Sequence, residues 1–155
     1  ELGYQLEPSE ISAAFALVQF DKLDKNMELR NKHFDSHIKF LSKYSNYFSL
    51  PKQNPKAYTC WLAFPMIVKK DAPFSRTDMQ IFLEKRNIQT RVVFTGNVLR
   101  QPMMKNVKYI GDADDFVNAD RVMKQGILLA CHHGLDDEMI NHLYESIDLF
   151  LDQYK

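Results

Sequence analysis

The first part of the chain carries large apolar side chains at the spacing of an α-helix. They recur every three or four residues in two groups: Ile11, Phe15 and Val18, then Met27, Phe34, Ile38 and Leu41. Such a period places apolar residues on one face of a helix. Ser9 precedes the pattern as a capping residue, and the pattern fades after residue 44. It therefore predicts one long helix over about residues 9–45, with a bend near residues 24–26.

Three apolar runs rich in β-branched and aromatic residues predict strands. They span residues 58–68, 90–94 and 127–131, and Pro65 marks a bulge or an edge position in the first. Helical patterns begin at Ser75, with Asp78 completing a capping box, at Asp114 or Asp115, and at Asp136. Since a sheet and amphipathic helices bury their apolar faces together, we predict an α/β (α+β) fold with a small three-stranded sheet covered by helices.

Composition fits one domain over residues 1–155. The chain is 45% hydrophobic and 26% charged, which supplies a core. Twenty basic and twenty acidic residues cancel, so we expect no nucleic-acid partner. No apolar run reaches the roughly 18 residues of a membrane span. Cys60 and Cys131 are expected to be reduced, buried thiols, which favours a cytoplasmic protein, and no cysteine spacing predicts a metal site.

The segment 87–102 passes from an apolar strand into a polar loop. A Gly-Asn pair ends the strand, and Asn97, Arg100 and Gln101 then supply amide and guanidinium donors before Pro102. A rigid strand that delivers such donors to a loop builds a ligand-contacting edge. The same pattern also describes an ordinary strand exit with a solvated arginine, and the residues alone leave both interpretations open.

Two pairs of histidines are candidate ligands. His33 and His37 are one helical turn apart, which is a zinc-ligand spacing, but no third ligand lies near them in sequence. Charged neighbours favour a solvated helix face for this pair. His132 and His133 close the last strand, where a site and a plain turn are equally compatible with the sequence. No GxSxG, GxGxxG, P-loop or HExxH motif is present.

Several short segments, which follow one another in a fixed order, resemble the motifs of a known family. They are Gly3-Tyr4-Gln5 with residues 9–14, residues 18–23, Arg30, residues 61–65, residues 88–91, residues 100–102 and residues 133–135. Together they resemble the GYN, S/T-E-I-Q-A-A, AQLEKL, W-x-x-F, GI-x-T-R, QP and HPGL motifs of the DegT/DnrJ/StrS family. These are pyridoxal-phosphate-dependent sugar aminotransferases and dehydratases. Residues 94–102 further resemble the F-x-G-N-x-x-R-Q-P loop of the NDP-4-keto-6-deoxyhexose 3-dehydratases.

The resemblance implies the small C-terminal domain of a fold type I aminotransferase, joined through the long helix to a large domain that this chain lacks. It implies pyridoxal 5'-phosphate or pyridoxamine 5'-phosphate as cofactor in a full-length homodimer, with Tyr4 and Gln5 reaching the partner's cofactor. The catalytic residue would lie upstream, so we expect no covalently bound cofactor here. A nucleotide-linked keto sugar of deoxysugar and lipopolysaccharide biosynthesis would be the substrate. The implied substrate contacts are Arg91, Asn97, Arg100, Gln101 and His133.

Three functions remain open from the sequence: a sugar-nucleotide dehydratase, a sugar-nucleotide aminotransferase, and a non-catalytic folding or oligomerisation domain. Some positions depart from the motifs. Gln5 replaces the asparagine of GYN, Glu7 stands where a basic residue is usual, and the HPGL segment lacks its proline after His133. The lysine that binds the cofactor, or the histidine that replaces it in dehydratases, would separate the first two functions.

Overall fold

Residues 7–155, which the computed structural model describes, form five α-helices and a four-stranded sheet. The helices are α1 (Glu10–Asp21), α2 (Leu23–Leu41), α3 (Arg76–Lys85), α4 (Val117–Gln125) and α5 (Asp137–Asp152). The strands are β1 (Phe48–Ser49), β2 (Ala63–Val68), β3 (Arg91–Val92) and β4 (Gly126–Ala130). The predicted mixture of helices with a small sheet is confirmed.

The sheet has one strand more than predicted. Its order is β1-β2-β4-β3, and every pair of neighbours is antiparallel. The additional strand, β1, is two residues long and pairs Phe48 with Val68. Two residues are too few to show a period, so only the pairing reveals this strand. Pro65 in β2 lies opposite Leu128 of β4 and beyond the reach of β1, which agrees with the predicted edge position.

The long predicted helix is two helices. Ser9 caps α1 through the backbone N–H of Ser12, as predicted. The break lies at Lys22, earlier than the predicted bend, and a 3-10 turn follows α2 over Ser42–Tyr44. The capping box of Ser75 and Asp78 is confirmed, and the last helix begins where predicted, with Asp136 as its cap. The predicted cap at Asp114 or Asp115 is wrong, because Asp112 caps a separate 3-10 turn there and α4 begins without a side-chain cap.

One face of the sheet carries the core. Burial alternates along β2, so that Phe64 and Met66 face inward opposite Leu129 and Ile127 of β4. Helices α2, α3 and α5 cover this face with buried apolar side chains: Phe34, Leu41, Met79, Leu83, Leu143, Ile147, Phe150 and Leu151. On the other face, Ala63, Pro65 and Ile67 of β2 are only partly buried.

Two buried histidines attach α2 to the end of β4. His37 Nε2 donates to the carbonyl of Ala130 at 2.9 Å, and its Nδ1 accepts from the Tyr144 hydroxyl at 2.9 Å. His33 Nδ1 donates to the carbonyl of His132 at 3.0 Å. Both rings are almost fully buried, so the predicted solvated face is wrong for them. The bonds replace hydration that burial removes.

The described part of the chain offers neither a membrane span nor a metal cluster. No helix within residues 7–155 is long and apolar enough to cross a bilayer. In the same range, no group of three His, Cys, Asp or Glu side chains is arranged to hold a metal ion. Both cysteines are free thiols. Cys131 is buried, which raises its pKa to about 11, whereas Cys60 is only partly buried.

Substitutions at two phenylalanines are expected to change the free energy of unfolding by very different amounts. Phe64 is fully buried against Phe34 and His37, whereas the Phe94 side chain is 86% exposed. Phe64→Ala is expected to lower the free energy of unfolding by about 3–5 kcal/mol, because it leaves a cavity. Phe94→Ala is the matched control and should change it by less than about 0.5 kcal/mol. Urea unfolding measures both, and equal effects would contradict the proposed core.

His37 predicts a loss of stability in acid. Burial, opposed by its bond to Ala130, holds the pKa of His37 below the model-peptide value, which is about 6.5 in the unfolded chain. Below that pH the unfolded state binds more protons, so the free energy of unfolding is highest above pH 6.5 and falls as the pH drops toward the folded-state pKa. His37→Gln should reduce this dependence in unfolding curves at different pH values. His142→Gln, at an exposed histidine, should leave the dependence unchanged.

Candidate functional site

Two carboxylates hold Arg100 in the loop that follows β3. Its Nε and Nη2 donate to the two oxygens of Asp120, each at 2.5 Å, and Nη2 also donates to Asp114 at 2.6 Å. These bonds raise the pKa of Arg100 above its ordinary value and lower that of Asp120 to about 2. Both groups are therefore charged at neutral pH. We call Arg100, Asp114, Asp120 and Asn97 the loop clamp.

Asn97 completes the loop clamp from within. Its side chain is 2% exposed, and its Oδ1 accepts from the backbone N–H of Leu99 at 3.1 Å. Its Nδ2 donates to the carbonyl of Ala113 and to Asp120 at 3.1 and 2.9 Å. Both amide hydrogens of Asn97 are thus used inside the protein. Gln101 nearby donates from Nε2 to the Thr95 carbonyl at 3.1 Å, which leaves its Oε1 available.

Gly96 allows this loop to lie directly on α4. Its φ is +63°, a left-handed conformation that glycine adopts without a steric penalty. A Cβ at this position would stand 2.2 Å from Cβ of Met123. The close approach brings Asn97 within reach of Asp120, so the glycine that breaks the strand also permits the loop clamp.

The same loop displays apolar side chains to solvent. Phe94 has a positive φ of 45°, which is uncommon for a residue with a side chain. Phe94 is 86% exposed, and other large apolar residues of the segment 92–110 are exposed as well: Val92, Val98, Met103, Val107, Tyr109 and Ile110. Such a concentration of exposed apolar groups is typical of a surface that contacts another molecule or domain.

A pocket of about 450 Å³ opens where β3 separates from β4. β3 pairs with β4 only at Leu128 and Ile127, and the chain before it diverges. The resulting gap is lined by apolar residues of β2, β4, α5, the turn before α5 and the segment before β3: Ala63, Ile88, Leu128, Leu129, Ala130, Leu135, Met139, Ile140 and Leu143. Polar groups at its border include Arg91 and His132. An apolar pocket with few polar groups is the usual form of a ligand site.

Arg91 and His132 give this pocket its chemistry. Arg91 is exposed on β3, and no hydrogen bond or ion pair occupies its guanidinium within residues 7–155. His132 Nδ1 accepts from the N–H of Gly134 at 3.1 Å. Burial and the neighbouring His133 lower the pKa of His132, so it is neutral at pH 7 with its proton on Nε2. At the border of the pocket, Arg91 is thus a cation and His132 a neutral hydrogen-bond donor.

The structure divides the predicted site residues between two places. Arg91 lies at the pocket, and Asn97, Arg100 and Gln101 lie in or beside the loop clamp. His133 is exposed in the turn after β4 and does not line the pocket. Tyr4 and Gln5, which are predicted to reach the cofactor of the partner subunit, lie outside the described residues.

Sequence reasoning missed two participants, Asp120 and His132. Asp120 lies far along the chain from Arg100, and no local pattern links a carboxylate in α4 to the loop. His132 was visible at the strand end, but nothing in the sequence separated it from His133. Strand alternation offers one signal, since adjacent residues leave a strand on opposite sides.

Asp120 predicts how firmly the loop is held. Asp120→Asn removes the charge that Arg100 pairs with, so amide hydrogen exchange of residues 94–106 should become faster. Asp71→Asn alters an exposed carboxylate outside the loop clamp and should leave exchange in that segment unchanged. Unchanged exchange in the Asp120 variant would show that the ion pair does not hold the loop.

The sequence of the chain is similar to those of several known proteins. The chain is 30% identical over 151 residues to lipopolysaccharide biosynthesis protein RfbH of Salmonella typhimurium, covering 96% of this chain and 34% of that protein. It is 33% identical over 150 residues to dTDP-4-dehydro-2,6-dideoxy-D-glucose 3-dehydratase of Saccharopolyspora spinosa, covering 97% and 32%. The chain thus spans about a third of the length of these relatives.

The fold has a counterpart among solved structures. E. coli GDP-4-keto-6-deoxy-D-mannose-3-dehydratase with bound hydrated PLP superposes with a TM-score of 0.81 at 24% identity. The match covers 93% of this chain and 36% of the dehydratase chain. Residues 1–148 match the sequence model of the DegT/DnrJ/EryC1/StrS aminotransferase family. The chain belongs to the DegT/DnrJ/EryC1/StrS aminotransferase family.

Proposed function

We propose that this chain is the C-terminal small domain of an NDP-4-keto-6-deoxyhexose 3-dehydratase that depends on pyridoxal or pyridoxamine phosphate and acts in deoxysugar and lipopolysaccharide biosynthesis in the cytoplasm. The observation that carries the proposal is the loop over residues 94–102, which has the dehydratase-like pattern and is held by the loop clamp. The name of the 33% identical relative, a 3-dehydratase, supports the same branch.

Arg91 and Arg100 are the proposed contacts for the diphosphate of the nucleotide sugar. Guanidinium groups bind phosphate oxygens in two-pronged fashion. Arg91 has its whole guanidinium available, and Arg100 retains Nη1 beside the bonds it makes to Asp114 and Asp120. Because Arg100 is already held in place, it loses little side-chain freedom when a ligand binds.

The remaining site residues are assigned according to the atoms that they have available. Gln101 offers Oε1 to a sugar hydroxyl, and exposed His133 offers its ring. Asn97 has both amide hydrogens bonded and is buried. We therefore assign Asn97 to positioning of the loop, which it does through Asp120 and Leu99.

The cofactor would be held mainly by parts of the enzyme beyond residues 7–155. When bound, it supplies an electron sink for removal of the C3 hydroxyl. Tyr4 and Gln5 are proposed to reach the cofactor phosphate of a partner subunit, as the family resemblance implies. The residues described here would bind and orient the sugar nucleotide and close one side of the cleft.

Helix α1 supports a larger assembly. None of its residues is buried, although several of them, with Leu23 just after, are large and apolar: Ile11, Phe15, Leu17, Val18, Phe20 and Leu23. These side chains lie around the whole helix, so one flat contact does not cover them. We propose that the large domain and the partner subunit of a homodimer enclose α1.

The second candidate function is a sugar-nucleotide aminotransferase, which the family description favours. The two reactions differ in their products. The intact protein, loaded with pyridoxamine phosphate and given an NDP-4-keto-6-deoxyhexose, should yield a sugar that has lost the C3 oxygen. Mass spectrometry of the product reads this directly. A product that has gained nitrogen at C4 would replace the proposal with the aminotransferase.

Variants of the intact protein test the diphosphate contacts. A hydrogen bond to a charged group contributes about 1.5–3 kcal/mol, so Arg91→Ala should weaken binding of the nucleotide sugar by roughly tenfold to a hundredfold. Arg100→Ala should do the same. Arg121→Ala, at an exposed arginine of α4, serves as the control with unchanged affinity. Unchanged affinity in both test variants would remove these arginines from the site.

A further inference from the structure

A second, basic pocket lies at the other end of β2. It has a volume of about 360 Å³ and is formed by the end of β2, the loop before α3, the first turn of α3 and the end of α4. The apolar pocket adjoins Ala63 and this one adjoins Val68. At about 3.3 Å per strand residue, the two ends of β2 are roughly 17 Å apart. We call it the basic pocket.

Four cationic side chains line the basic pocket: Lys69, Lys70, Arg76 and Lys124. Asp78 is the single carboxylate among its lining residues, and that group accepts from the N–H and the hydroxyl of Ser75. The chain as a whole has no net charge. This local excess of positive charge therefore creates a potential that attracts anions.

Three of these cations have no carboxylate partner. Within residues 7–155, Lys70, Arg76 and Lys124 take part in none of the ion pairs. Lys69 donates to the carbonyl of Ser45 at 2.6 Å, so its ammonium group is bonded to a residue outside the basic pocket. Asp78 in the pocket and Asp120, which Lys124 affects from one helical turn away, offset only part of this positive charge. The remaining like charges repel one another, and a bound anion relieves that repulsion.

Arg76 offers one nitrogen to the basic pocket. Its Nε and Nη1 atoms are buried without a hydrogen-bond partner among residues 7–155, so an anion in the pocket would not reach them. The side chain as a whole is only partly buried, which leaves Nη2 as the guanidinium atom that an anion would contact. The first-turn cap of α3 is already supplied by Ser75 and Asp78. The attraction for an anion therefore comes from the side chains and not from the helix end.

We propose that the basic pocket binds a small anion of the phosphate type through Arg76, Lys70 and Lys124. An oxyanion with several acceptor oxygens accepts from a guanidinium and two ammonium groups together, whereas a monovalent halide offers no such geometry. Such an anion comes from free phosphate or pyrophosphate, or from the diphosphate of a nucleotide. The basic pocket shares no lining residue with the apolar pocket, and the proposal does not rest on the proposed function.

Titration calorimetry with inorganic pyrophosphate tests the proposal in low salt on the intact protein, saturated with cofactor and carrying Arg91→Ala and Arg100→Ala, so that the proposed diphosphate contacts do not take up the probe. In this background, we expect binding that weakens at least tenfold when Arg76→Gln and Lys124→Gln, the double variant, are added. Lys56→Gln, at an exposed lysine before β2, should leave binding unchanged. No binding, or equal binding by the double variant and the control, would overturn the proposal. Thermal melting verifies that the double variant is folded, and Lys70→Gln provides an independent variant.

Two further measurements locate the anion and identify its source. Tungstate, a heavy analogue of phosphate, should give an anomalous peak beside Arg76 in crystals of the intact protein. A peak elsewhere, with none in the basic pocket, would contradict the assignment. A nucleoside diphosphate that binds more tightly than pyrophosphate, with the same loss in the double variant, would identify a nucleotide as the source. Equal affinity would identify the free anion. Turnover of the nucleotide sugar should be unchanged in the double variant, so failure here leaves the proposed function untouched.

Discussion

The pairing of β2 with β4 supports the rest of the structure. It joins segments far apart in sequence, from Ala63 opposite Ala130 to Ile67 opposite Gly126. Phe64 and Leu129 lie side by side on the core face as a result, and three helices pack over them. The pairing also sets where β4 ends, and His132 and the apolar pocket follow from that end point. Each feature with functional interest is positioned by an element that touches one of these two strands.

The histidines of α2 reinforce that end point. His37 and His33 bond to the carbonyls of Ala130 and His132, where β4 stops. A lysine or glutamine in their place would fill the space but would not supply a rigid, neutral donor at the same depth. The geometry of the turn after β4 therefore depends on the two buried histidines of α2.

The charged groups of the loop clamp stabilise the fold even when no ligand is bound. Arg100 and Asp120 stabilise the loop whether or not a substrate is present, and Asn97 is fully occupied by that task. A loop held in this way is preorganised, so a ligand that contacts it does not have to order it. The exposed apolar side chains around Phe94 then have a fixed direction, which a free loop would not give them.

The sequence by itself determined the class of fold, the main strands, the caps at Ser9 and Ser75 and the start of the last helix, because these depend on period and on contacts within a few residues. The ordered motifs indicated the family for the same reason. Tertiary structure alone decided the strand β1, the burial of His33 and His37, the partner of Arg100 and the basic pocket around Arg76. Each of these depends on groups brought together from distant segments, and no local pattern carries that information. The segment 87–102 illustrates the difference: its residues predicted a strand and donors, but only packing against α4 determined which donors are already bonded and which remain for a ligand.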